Sequence, residues 1–66
     1  MNRNTYKAGK EVFQVARLIM QGQVSEARML APKRSLTIAE ARAISGACKY
    51  ARQHYHGCNV SLDEFL

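Results

Sequence analysis

The sequence predicts an all-α protein: a small helical hairpin of two longer helices, with a short intervening helix and a C-terminal turn. Three observations predict it. Apolar residues recur at three- and four-residue spacing through two long stretches. Thr37 with Glu40, and Ser61 with Glu64, have the spacing of capping boxes. Gly22, Pro32 and Gly57 stand where helices would stop. A chain of 66 residues has room for one domain, residues 1–66, and a core of that size barely outweighs the conformational entropy lost on folding.

The first helix is expected from Thr5 to Gln21. Ala8, Val12, Ala16, Ile19 and Met20 form its apolar stripe, widened by Phe13 and Val15. Lys7, Lys10, Gln14, Arg17 and Gln21 take the other side, and Leu18 falls among them as an exposed apolar residue. Gly9 is a weak point, because a mid-helix Gly costs about 1 kcal/mol relative to Ala.

A short second helix is expected over 25–31, with Ser25 as N-cap and Val24 stapled to Met29. Ala27 and Leu30 would turn inward. Pro32 stops it, since proline disfavours helical geometry in the preceding residue and lacks the N–H donor. Pro32-Lys33-Arg34-Ser35 then reads as a basic loop. The segment Gly22 to Arg28 resembles the turn of helical-hairpin repeats, in which a Gly ends one helix and a Glu-Ala pair opens the next. Such folds stack several units, and the chain carries one copy.

The third helix should run from the Thr37 cap to about His56. Thr37, Ala41, Ile44, Cys48, Ala51 and Tyr55 make one apolar row, and Ala43, Ala47, Tyr50 and His54 a second. At about 100° per residue the two rows span an arc of about 200°, wide enough for two neighbours. In the tail, Ser61 and Glu64 cap a single turn, Val60 and Phe65 can staple it, and Leu62, Phe65 and Leu66 are expected to fold back as a plug.

The charge is unbalanced, ten Lys or Arg against five Asp or Glu, for a net +5. The helices are basic and the tail, with Asp63 and Glu64, is acidic. Such a field attracts polyanions and acidic protein surfaces. Two cysteines, Cys48 and Cys58, without a secretory leader fit a reducing cytoplasm. No apolar run approaches the roughly 20 residues needed to cross a bilayer.

Chemistry has little support in the sequence. Cys48, His54, His56 and Cys58 are the one grouping of soft ligands, yet they lack the paired Cys-x2-4-Cys or His-x3-5-His spacing of zinc sites. There is no phosphate loop, no metalloprotease motif and no nucleophile with an evident base. No enzyme, cofactor, metal or small-molecule substrate is therefore expected.

What remains is surface. Arg42, Lys49, Arg52 and His56 fall on one side of the third helix, and with Lys33 and Arg34 they could meet nucleic acid or an acidic partner. A helix-turn-helix would pair 25–31 with a recognition helix opening at Thr37, but its first turn offers only Arg42 to a base edge. Ala43, Ala47, Tyr50, Tyr55 and Leu18 are candidates for a protein interface. The sequence thus predicts a small regulatory or adaptor protein acting through helix surfaces on a macromolecular partner, a protein first. The alternative is a basic nucleic-acid-binding regulator. The wide apolar arc and the small core also predict a homodimer. Small accessory proteins of bacteria and their phages share this size and character.

Overall fold

The computed structural model describes residues 10–66. Gly9, with Thr5, Tyr6, Lys7 and Ala8 of the expected first helix, lies outside the described residues. The chain is all-α: α1 (Lys10–Met20), α2 (Val24–Leu30), α3 (Ile38–His54) and a closing 3-10 turn (Leu62–Phe65). No described helix is long and apolar enough to cross a membrane.

The stop at the end of α1 is a Schellman motif. Gly22 sits at φ +82°, its N–H donates to the Ile19 carbonyl at 3.0 Å, and the Gln23 N–H donates to the Leu18 carbonyl at 2.9 Å. Glycine takes that left-handed position without the clash a Cβ would bring. The start of α2 departs from expectation. Gln23, not Ser25, precedes the helix, it makes no side-chain cap, and Ser25 lies in the first turn. The chain leaving the Schellman turn is already in position to enter α2 at Val24, so the helix begins before the better capping residue. Nor does the staple form: Met29 is 86% exposed, while Val24 packs on the core. Ala27 is buried as expected, but Leu30 is largely exposed.

The capping box of α3 forms as its spacing predicts. The Glu40 N–H donates to Thr37 Oγ1 at 3.1 Å, and the Thr37 N–H donates to Glu40 Oε1 at 2.9 Å. The helix then runs unbroken through Gly46 to His54. It ends two residues short of the expected His56, because Tyr55 turns extended at φ −124°, ψ 122°. Gly57, at φ +76°, redirects the chain after the helix instead of capping it.

The core joins Val12, Val15, Ala16 and Ile19 of α1 to Ala27 and to Ile44, Ala47, Cys48 and Ala51 of α3, closed by Val60 and Phe65. Val15 is thus a central core residue, while Phe13 and Met20, placed by the sequence on the apolar side, stand at the edge of the stripe and stay exposed. Leu18 is corrected in the opposite sense: it is half-buried against the core, because α2 folds onto that flank of α1.

Like ends of the two longer helices lie together. Arg34, beside the start of α3, reaches Glu11 at the start of α1, and Tyr55, beyond the end of α3, reaches Met20 at the end of α1. α2 and the loop to Thr37 carry the chain back between them, so α1 and α3 run in the same direction. The tail then packs on α3. Phe65 and Leu62 plug the core as expected, but Leu66 is exposed.

Candidate interaction surface

The sequence-nominated cations divide into those the fold uses and those it leaves free. Arg34 belongs to the first group. Its guanidinium donates from Nη1 to Glu40 Oε1 and from Nη2 to Glu40 Oε2, both at 2.8 Å, and Nη2 also meets Glu11 Oε1 at 3.1 Å. The Glu40 side chain beneath it is buried, so the fork of Arg34 matches and neutralises a carboxylate that lies out of water. These bonds, to Glu40 first, raise the Arg34 pKa further. Arg52 is committed as well: its Nη1 donates to the Val60 carbonyl at 2.8 Å and holds the tail against α3.

Arg28, which the sequence did not single out, clamps the same tail. Its Nε donates to Glu64 Oε1 at 2.6 Å, and Glu64 Oε2 accepts from the Ser61 N–H at 3.1 Å. The Arg28 bond, ahead of the Ser61 bond, holds the Glu64 carboxyl below its ordinary value despite some desolvation. The Arg28–Glu64 pair was hidden from sequence reasoning because it joins residues 36 apart, and the Arg52–Val60 bond because it forms only where the chain turns back on α3.

Arg42, Lys49 and Lys33 are exposed, and none makes a hydrogen bond or ion pair among the described residues. Lys10 and Arg17 on α1 are in the same state. The predicted basic stripe of α3 is therefore reduced to Arg42 and Lys49, seven residues apart on one line of the helix. His56 lies beyond the helix end and does not extend the line.

The interface candidates divide in a similar way. Tyr55 serves the fold: its hydroxyl donates to the Met20 carbonyl at 3.0 Å, and its ring covers Gly22. Leu18 shares a shallow groove with Glu26, Met29 and Leu30 on the α2 side. Ala47 is buried. Tyr50 stays 40% exposed and stacks on His54, with ring centroids 4.0 Å apart and planes inclined by 25°. Ala43 is half-buried beside them.

The buried residues of α3 are Glu40, Ile44, Ala47, Cys48 and Ala51, a stripe of about 100°. The expected 200° arc is thus only half used. Helix geometry shows where the rest goes. The tail packs on the α3 flank that carries Cys48 and Arg52, and α2 packs on the α1 flank that carries Leu18. Two opposite flanks remain open: Phe13, Ala16 and Met20 on α1, and Ala43, Tyr50 and His54 on α3. Because α1 and α3 lie side by side, these flanks form one continuous face with Ala16 and Ala47 as its floor. Phe13 is 59% and Met20 42% exposed there.

Cys48 is buried and Cys58 half-buried, both unbonded. Burial raises the Cys48 thiol pKa, and the charge of Arg52 offsets part of that rise. Among the described residues no three His, Cys, Asp or Glu side chains gather to hold a metal ion. Comparison with family models, with curated protein sequences and with solved structures gave no match.

Proposed function

We propose that this protein is a small regulatory or adaptor module that works by binding another protein through the open face of α1 and α3. The observation that carries the reading is the division of labour among surface residues. Two of the cations nominated for a ligand, Arg34 and Arg52, are spent on the fold. Three large apolar or aromatic side chains, Phe13, Met20 and Tyr50, are meanwhile left exposed on adjoining flanks. Aromatic residues beside a packed, small-residue floor are the composition of protein-binding hot spots.

Nucleic-acid binding is the second reading, favoured by the net charge of +5 and by Arg42 and Lys49, which have no ion-pair partner among the described residues. Two free cations on one helix line give only a weak footprint on a phosphate backbone, because affinity grows with the number of phosphates neutralised. A homodimer, the third reading, was argued from the width of the α3 arc, and α1 with the tail now covers half of that arc.

Two measurements made side by side test the assignment. In the first, the protein is titrated with mixed-sequence DNA and RNA at physiological salt. In the second, immobilised wild type and a Phe13→Ala/Tyr50→Ala variant are compared for capture of host proteins. Protein binding predicts a captured species lost with the double substitution and no nucleic-acid complex. A complex that dissolves steeply with salt and weakens on replacing Arg42 and Lys49 overturns it.

A further inference from the structure

We infer that the open recess between the end of α2, the loop to Thr37 and the tail binds a phosphate monoester. None of its lining residues belongs to the open α1/α3 face, so the site goes beyond the protein-binding reading and does not depend on it.

The loop makes the recess. Pro32 stops α2, Ala31 before it takes extended geometry at φ −58°, ψ 138°, and the chain is helical again only from Ile38. Among the described residues no backbone N–H from Lys33 to Leu36 donates a hydrogen bond. Backbone donors without a partner in the fold are open to a ligand's oxygens. The recess has a volume of about 510 Å³, within the range of small-molecule sites. Its walls are tied from behind, Arg34 to Glu40 and Glu11 and Arg28 to Glu64. Little ordering is therefore needed when a ligand enters.

The donors select an anion. Lys33 and Ser35 are exposed on the recess, and the Lys33 ammonium has no ion-pair partner among the described residues. Arg28 gives only Nε to Glu64, so its two Nη groups remain as donors, with half of the side chain in water. A cation is repelled here, and an apolar ligand would strip water from these donors without replacing it. Arg34, matched by its two glutamates, shapes the wall and adds no surplus charge.

Charge and valence separate phosphate from carboxylate. Glu64 already holds Arg28 Nε, and a second singly charged carboxylate gains little beside it. A phosphate monoester brings a charge of about −1.5 to −2 and three acceptor oxygens. The Arg28 fork takes two of them, the Lys33 ammonium adds a point charge, and Ser35 or the loop N–H groups reach the third. The recess is much larger than a phosphate and Phe65 lines part of it, which leaves room for the organic group that the phosphate esterifies.

The probes are glycerol phosphate and a short peptide carrying phosphoserine. The controls are glycerol, the unphosphorylated peptide and dimethyl phosphate, a diester with a single charge. Amide chemical shifts of the labelled protein are followed at physiological salt. Both monoesters should bind and the controls should not. The shifts should fall on Arg28, Lys33, Arg34 and Ser35 and spare Lys10, Arg17 and Lys49.

Lys33→Ala removes an exposed side chain that the fold does not use, and should weaken binding by about tenfold. Arg28→Lys keeps a cation for Glu64 but loses the fork, and should weaken it as well. Glu64→Gln removes the competing charge and should tighten binding about threefold, whereas a residue acting only through the fold would weaken it. The probe that binds more tightly identifies the source, a small metabolite or a phosphorylated protein segment. Any one of four results overturns the inference: no shift at millimolar ester, equal binding of dimethyl phosphate, shifts spread over all the lysines and arginines, or wild-type binding by Lys33→Ala. Those results leave the α1/α3 reading to be decided by the capture experiment with Phe13→Ala/Tyr50→Ala.

Discussion

The Tyr55 hydroxyl donates to the carbonyl of Met20 across 3.0 Å, joining the residue that ends α3 to the last turn of α1. The Schellman turn satisfies the Leu18 and Ile19 carbonyls but not that of Met20, one of the last carbonyls of a helix, which have no intrahelical partner. Tyr55 supplies the missing donor from elsewhere in the fold. Tyr55→Phe keeps the ring over Gly22 and removes only this bond, so it should lower stability by about 1 kcal/mol. For a domain of this size that is a fall in Tm of about 4–8 °C, read by thermal circular dichroism.

Three glycines make a graded test of the same backbone. At Gly22 the positive φ disfavours any side chain, and an added Cβ would also come within 3.2 Å of the Tyr55 ring. Gly57 has a positive φ but open space around it. Gly46, inside α3, has open space and ordinary helical geometry. Gly22→Ala should therefore destabilise most and Gly57→Ala by about 1 kcal/mol, while Gly46→Ala should stabilise by about 0.5–1 kcal/mol. Urea unfolding midpoints give the order directly.

Arg34 and Arg28 each bind a carboxylate, and the two should differ sharply on removal. Arg34→Ala removes two hydrogen bonds from the buried Glu40 carboxylate, whereas Arg28→Ala leaves Glu64 with about a third of its side chain in water. Hydrogen bonds to a buried charge matter more to stability than those to an exposed one, which water can replace. The expected result is a large drop in Tm for Arg34→Ala and a small one for Arg28→Ala. Adding Glu40→Gln to Arg34→Ala should restore part of the loss, since the amide oxygen can still accept from the Thr37 N–H.

Some local signals in the sequence carried through, whereas the Ser25 cap, the Val24–Met29 staple and the Gly57 cap did not, and contacts between elements were not legible. Thr37 with Glu40, and Gly22 after α1, were legible because capping and the left-handed stop involve residues within one turn. The α3 rod was legible for a similar reason, its period persisting over 17 residues. Leu18 was misplaced because the helical wheel of α1 holds no information about α2 folding over that flank. Arg34 and Arg52 were read as free surface because their partners, Glu40 with Glu11 and the Val60 carbonyl, are apparent only in three dimensions. The open face was half legible. Its α3 row of Ala43, Tyr50 and His54 was visible as surplus apolar arc, but its α1 wall of Phe13 and Met20 read as core. Which part of an overly wide stripe is buried depends on how many neighbours arrive, and periodicity does not count neighbours.

The clamp on the tail should show a defined acid dependence. Glu64 has a folded-state pKa below its ordinary 4.5, owing first to the Arg28 hydrogen bond and then to the Ser61 N–H. A carboxyl whose folded pKa is depressed contributes stability that is fully present above the unfolded value and is lost as pH falls through the folded one. Glu64→Gln retains an oxygen able to accept from Ser61 and removes the charge, so comparison with wild type isolates the ion pair. The other titrating groups are common to both proteins and cancel. The wild type should be the more stable from neutral pH down to about pH 5, with the difference shrinking below 4.5 and vanishing once the folded carboxyl is protonated. Because Arg28 lies at the surface, high salt should narrow the gap at neutral pH as well. Denaturant midpoints measured across that range decide it: equal stability of the two proteins at neutral pH would mean that the Arg28 pair contributes nothing.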